Sequence, residues 1–242
     1  MNIGTKQLII AKLEKFIFAN KNFKILDLGS GQSKNFLPLL KKYPDIFYVG
    51  VEPNKKEADT ARELLKSFPN VKIYNKSACE EISGAGEFDV CISLSVLEHV
   101  KPLKRFLENS VRIVKAGGQI IHLYDLGHSL YPNSLKEKIQ IFLGNNFPKF
   151  LPENKFVSYL DEEKVKKIIK EAGAEIKEVT YHQMPNHKKL FSLISGGSLE
   201  LDSLSRGIFE WEFKISKFLS NINKKQREEL FPSVCVWATK NY

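Results

Sequence analysis

Short apolar runs alternate with amphipathic stretches along the first half of the chain. Residues 5–19 set Leu8, Ala11, Leu13 and Phe16 among polar neighbours at helical spacing, and the apolar run at 24–28 that follows reads as a strand ending in a Gly-Ser-Gly turn. The same alternation predicts a helix over 34–42, a strand at 47–51, a helix at 55–67, strands at 71–74 and 88–93, a helix over 101–114 stopped by glycines, and a strand at 119–124. Strands separated by amphipathic helices imply βαβ units, hence a parallel sheet covered on both faces. The fold class is α/β. Further on, Asp161 to Gly173 has the acidic start and glycine stop of a helix, and strands follow near 175–182 and 233–239.

Two connections are longer than a compact α/β unit needs: 126–157 and 185–231. Such lengths point to lids or binding loops, and the absence of a repeat, low-complexity tract or linker keeps 1–242 as one domain carrying both insertions. Within the second, Ile208, Trp211, Ile215 and Phe218 recur at helical spacing. Together with Phe191, Phe209 and Phe213 they read as the insertion's own core.

Composition narrows the class. With 242 residues, 43% hydrophobic and 27% charged, the chain suits a globular domain and not a disordered or membrane-embedded one. Three cysteines without paired spacing suggest neither a disulfide framework nor a cysteine zinc site, and no apolar run reaches the roughly 18 residues of a spanning helix, so the chain reads as cytoplasmic. The net charge of +9 invites a nucleic-acid partner, but it is spread as +5 up to Asp125 and +4 beyond. Only five of the 37 basic residues are arginines, the side chain that reads phosphates and bases in bidentate fashion. The lysines therefore read as solvated faces, with an RNA or protein substrate as the alternative.

The chemistry concentrates where strands end. The segment Ile25-Leu26-Asp27-Leu28-Gly29-Ser30-Gly31 runs a strand into a glycine turn, where the backbone can approach a ligand closely. A dinucleotide fingerprint wants a third glycine where Lys34 stands, and Asp27 would repel a pyrophosphate but suits an ammonium group. Glu52, at the end of the second strand, can accept both hydroxyls of a ribose. A nucleoside with an amino-acid tail fits both acids: S-adenosylmethionine.

On these residues the chain resembles the class I S-adenosylmethionine-dependent methyltransferases, particularly the small-molecule branch that includes the ubiquinone-biosynthesis enzymes. The resemblance places Asp27, Gly29, Ser30 and Gly31 around the methionine part, Glu52, Pro53 and Asn54 on the ribose, and Ser77 and Ala78 against adenine. Phe88 to Val100 looks like the family's fourth strand with its Leu-Glu-His-Val, bringing Leu94 and Ser95 to the cofactor, and Lys115 to Gly118 looks like the turn before strand five. Ser33 replaces a common third glycine and Ser77 an acidic residue. The resemblance implies a Rossmann-like seven-stranded sheet with its last strand antiparallel, and both insertions over the cofactor face as a lid.

For the acceptor, a histidine near neutral pH can take a proton from a hydroxyl as the methyl group moves to its oxygen. His128, in the loop past strand five, is the first candidate, with His99 and Tyr124 behind it, while His122 reads as a strand residue packed in the sheet. His182 and His187 lack an accompanying carboxylate in sequence, and no metal site is expected. The expected activity is methyl transfer to a small or mid-sized acceptor, at a hydroxyl oxygen of a sugar, polysaccharide precursor or quinone-like molecule. The rival outside this class is a noncatalytic S-adenosylmethionine-binding module.

Overall fold

The computed structural model describes residues 4–18, 22–82, 87–132, 134–147, 151, 156–194 and 199–242. Seven strands form one sheet: β1 (Lys24–Leu28), β2 (Phe47–Val51), β3 (Val71–Tyr74), β4 (Phe88–Leu94), β5 (Val114–Asp125), β6 (Ala174–His182) and β7 (Ser233–Lys240). Their order is β3-β2-β1-β4-β5-β7-β6, and β7 alone runs antiparallel to its neighbours β5 and β6. The order reverses between β1 and β4, the point at which open α/β sheets form a ligand crevice beyond the strand ends.

Helices cover both faces. On one side α1 (Thr5–Lys12), α2 (Glu14–Ile17) and α3 (Leu37–Lys42) pack Ile9, Leu13, Leu39 and Leu40 against Ile25, Tyr48, Ile92 and Ile121, with Leu65 from α4 (Lys55–Leu65) joining them. On the other, α5 (Leu103–Ile113) buries Phe106, Leu107 and Val111 beside Val165 and Ile169 of the helix that begins after Asp161. Sheet residues are buried on both faces. That explains why β4 is buried along its whole length and reads as a continuous apolar run with no alternation.

The first insertion carries α6 (Gly127–Leu130) and α7 (Leu135–Asn146), followed by α8 (Glu162–Glu171), whose start is capped by the Asp161 side chain accepting from the Lys164 N–H at 3.0 Å. The second carries α9 (Pro185–Ile194), α10 (Leu199–Ile215), a 3₁₀ turn and α11 (Lys224–Leu230). Here the expected aromatic core is corrected: Trp211 and Phe218 are 48% and 70% exposed. The buried face of α10 is offset from the predicted stripe and carries Phe209 and Glu212, with Ser216 following in the 3₁₀ turn. The side chain of Phe191 lies outside the described residues. The predicted helix over 5–19 is also divided, at Leu13, and the turn at 115–118 lies within β5 as an irregularity opposite Asp89.

His122 is packed in the sheet, fully buried, between Ser93 on β4 and Ser110 on α5. The Ser110 hydroxyl donates to the Leu107 carbonyl at 2.7 Å, so it can only accept from His122 Nε2–H at 3.0 Å, and Nδ1 accepts from Ser93. Burial pushes the imidazole down to about 3, so it stays neutral. Ser110→Ala should leave a buried N–H unpaired and lower stability by about 1–3 kcal/mol, read as a shifted urea midpoint at constant m-value.

Candidate active site

The turn after β1 is built on left-handed backbone. Gly29, Gly31 and Ser33 have φ of 72°, 53° and 57°, so Ser33 adopts the conformation that a third glycine would supply freely. Its buried hydroxyl lies 3.0 Å from the Tyr48 hydroxyl, which also donates to Asp27 at 2.7 Å. Gly29 has a second reason to lack a side chain: a Cβ there would come within 2.6 Å of Val96. At Gly31 a Cβ would meet nothing within 4 Å, which marks an open cradle beside the backbone.

Glu52 joins this turn to the end of β2. One carboxylate oxygen accepts the Gly31 N–H at 2.8 Å and the other accepts the Asn54 N–H at 2.8 Å. The Asn54 side chain then caps α4 by accepting from Lys56 and Glu57, and Asn75 donates to the carbonyls of Glu52 and Pro53 at 2.9 Å. The result is an open cleft of about 770 Å³ bounded by Gly29, Glu52, Pro53, Asn54 and Lys55 on one side and by Ser95, Val96, His99 and Val100 on the other.

Six of the sequence-identified residues therefore line one cleft: Gly29, Glu52, Pro53, Asn54, Ser95 and His99. Asp27 lies buried beneath it, and desolvation pushes its carboxyl up to about 7 against the opposing hydrogen bond from Tyr48. Ser30 is buried with its hydroxyl toward Gly50. Leu94 and Ala78 are buried in the two hydrophobic cores and are not among the residues that bound this cleft. Ser77 is taken up locally, its N–H donating to Glu80 and its hydroxyl accepting from Cys79.

At the far rim, His99 and His128 bring their rings to a centroid separation of 5.8 Å. His99 Nδ1 bonds the Phe156 carbonyl at 3.0 Å, and the Ser158 N–H donates to the Glu98 carbonyl, so the end of the first insertion is held against the end of β4. A carbonyl only accepts, which puts the proton on Nδ1 and leaves the lone pair on Nε2. Burial lowers the pKa of His99, and the neighbouring His128 lowers it further. Tyr124 is corrected. It is 0% exposed among Leu126, Leu160 and Phe231, and desolvation holds its hydroxyl well above the usual phenol range, so it cannot reach an acceptor at the rim.

Sequence reasoning missed Tyr48, Asn75 and Glu98. Tyr48 gave no signal beyond an apolar strand position, whereas Glu98 sits in the quoted Leu-Glu-His-Val and could have been read with His99. His182 and His187 also acquire partners that sequence distance concealed. His182 bonds Thr180 at 2.8 Å, and His187 bonds the buried Glu212 at 2.8 Å.

A doubly wound seven-stranded sheet with a left-handed glycine turn at its switch point and an acid on the next strand defines a class I S-adenosylmethionine-dependent methyltransferase. A family model described as a methyltransferase domain matches residues 3–179, and the chain belongs to that family. The chain is similar to the ubiquinone biosynthesis O-methyltransferase of Rhizobium etli, 24% identical over 176 residues, which cover 70% of this chain and 68% of that relative. The corresponding enzyme of Azorhizobium caulinodans is 32% identical over 102 residues, 42% of this chain and 40% of its own. Three further curated relatives are spanned over 61–63% of their length. Among solved structures, a putative sarcosine dimethylglycine methyltransferase from Galdieria sulphuraria shares the fold with a TM-score of 0.65 at 12% identity, covering 98% of this chain and 84% of that one. A Haemonchus contortus phosphoethanolamine N-methyltransferase shares it at 0.62 and 16%, covering 96% and 52%.

Two outcomes follow for the cofactor. Glu52→Ala should weaken S-adenosylhomocysteine binding by about 1–3 kcal/mol in calorimetry, the cost of losing a charged hydrogen-bond partner. An ammonium group beside Asp27 would favour its ionised form, and desolvation pushes that carboxyl up to about 7. Affinity should therefore rise as pH increases from 6 to 8 and should flatten in Asp27→Asn, measured by the same titration across that range.

Proposed function

We propose that the chain transfers the methyl group to a hydroxyl oxygen of a small or mid-sized acceptor seated at the rim formed by His99 and His128. The observation that carries this reading is the pair of imidazoles on the opposite side of the cleft from the ribose-side residues Glu52, Pro53 and Asn54. The names of the curated relatives, O-methyltransferases of ubiquinone biosynthesis, support oxygen as the target and a quinone-like acceptor as one candidate.

The glycine cradle and the two acids fit S-adenosylmethionine, which supplies an electrophilic methyl group on a sulfonium when bound. Glu52 would hold the ribose hydroxyls while keeping the Gly31 peptide in place, and Asp27 would face the ammonium from below. Ser95, itself at a positive φ of 62°, and Val96 would bound the sulfonium side. Little protein chemistry is needed beyond alignment of the reacting atoms and removal of the acceptor proton.

His128 is the base in this reading. It is exposed, stands on α6 directly after β5, and takes the hydroxyl proton onto a ring nitrogen as the oxygen attacks. His99, tethered to Phe156 through Nδ1, shapes the rim. The two insertions would then serve as a lid that excludes water, the first through its hold on Glu98 and His99 and the second through α10, whose Phe209 packs on Gly4 beside α1. Among the described residues no helix is long and apolar enough to cross a membrane.

His128→Ala should lower turnover by roughly 10²–10⁴-fold, the range for losing a general base, while S-adenosylhomocysteine affinity stays within about twofold. Full turnover with a panel of catechol, sugar and phenol acceptors would remove His128 from the mechanism.

A further inference from the structure

A second cavity, of about 460 Å³, opens where α1 and α2 meet the β6 edge of the sheet. Lys12, Lys15 and Phe16 line it from the helices, and Gln119, Lys177, Glu178 and Trp237 from the strands. None of these residues bounds the cofactor cleft. Gln119 pairs with Val90 of β4, four residues before Leu94 at the cleft end of that strand, so the cavity lies lower on the sheet and to one side.

A break in strand register builds its floor. Ile176 pairs with Ala238 and Glu178 with Trp237, which makes Lys177 the extra residue of a bulge. Regular pleating sends consecutive side chains to opposite faces, whereas here Lys177 and Glu178 both reach the cavity. The wall is aromatic: the Phe16 and Trp237 ring centroids are 6.1 Å apart. Lys15 Nζ lies 4.8 Å from the first and 5.9 Å from the second, and Lys12 Nζ lies 5.8 Å from that of Trp237. Against these charges the lining offers one carboxylate, Glu178, which is 3.4 Å from Lys12, while Lys177 pairs with Glu175 outside the lining. Burial lowers the pKa of Lys12 in spite of Glu178, and the nearby Lys15 lowers it further, so the positive charge of the cavity is under-compensated.

We propose that this cavity is a binding site for a small aromatic oxyanion, with its charged oxygens between Lys12 and Lys15 and its ring against Phe16 and Trp237. Ammonium groups that are partly withdrawn from water form strong charge-assisted hydrogen bonds to an oxyanion, and an aromatic wall adds apolar burial and ring contacts. An inorganic anion would leave the wall uncovered, and a neutral ring would leave the ammonium groups uncompensated. The site is independent of which acceptor is methylated, because it shares no residue with the methyl-transfer cleft.

The test uses the full-length chain carrying Trp211→Phe, which removes the exposed one of two tryptophans and leaves Trp237 as the reporter. Phenyl phosphate is titrated at saturating S-adenosylhomocysteine, with excitation beyond the absorption of the probe and calorimetry of the unsubstituted chain in parallel. One equivalent should bind with a saturable change in Trp237 emission. Inorganic phosphate and benzyl alcohol should each bind at least roughly tenfold more weakly, since each keeps only one of the two recognition features. Lys15→Gln, at an exposed position that should fold normally, and Lys12→Gln should each weaken phenyl phosphate binding by roughly tenfold or more while S-adenosylhomocysteine affinity stays within about twofold. No saturable binding, undiminished binding in both lysine variants, inorganic phosphate binding as tightly as phenyl phosphate, or a probe response abolished by S-adenosylhomocysteine would each overturn the proposal.

Discussion

The Glu52 carboxylate bridging the Gly31 and Asn54 amides is the interaction on which the cofactor side of the molecule depends. It ties the left-handed turn after β1 to the end of β2, and the same residue pair leads into the cap that starts α4. Without it, the Gly31 and Asn54 amides at the mouth of the sheet would lose their protein partner and the turn its tie to β2. The turn itself is held from below by Tyr48, whose hydroxyl reaches both Asp27 and Ser33. Ser33 thereby gains a polar partner for a backbone conformation that would otherwise carry strain without compensation.

The acceptor side follows a different principle. Its residues are held by backbone carbonyls and by the ends of an insertion, through His99 to Phe156 and Glu98 to Ser158. Rigid strand ends thus present the residues of the glycine-turn side, while the rim imidazoles are held by elements that can vary without disturbing the sheet. A buried carboxyl pushed up to about 8 at Glu98 and an imidazole lowered at His99 belong to that side. In both, burial is the main cause, and functional sites are where such shifts gather.

Much of this was legible in the linear chain. Strand positions at 24–28, 47–51 and 71–74 were readable because short apolar runs between amphipathic stretches have few other uses in a compact domain, and the observed strands begin and end there. Asp27, Gly29 and Glu52 were readable because a backbone that must curl under a ligand needs glycine, and because acids at strand ends have restricted chemical uses. The α10 stripe was misjudged because helical spacing gives a period without a phase. Which of several interleaved rows turns inward is decided by the surface it meets, here the sheet edge and α1 around Gly4 and Lys12.

By itself, then, the sequence determined the α/β alternation, the glycine turn and the acid on the second strand, since each is set by local backbone and by spacing within one βαβ unit. Tertiary structure alone decided that Tyr124 faces the interior while His128 meets His99, and that the Glu98 carboxyl is buried beside them. Tyr124 stands within β5 and His128 four residues on, in α6 beyond the strand end, so the phenol stays in the core while the imidazole reaches the rim. Contacts between different strand ends arise only when the sheet is assembled, and no spacing along the chain encodes them.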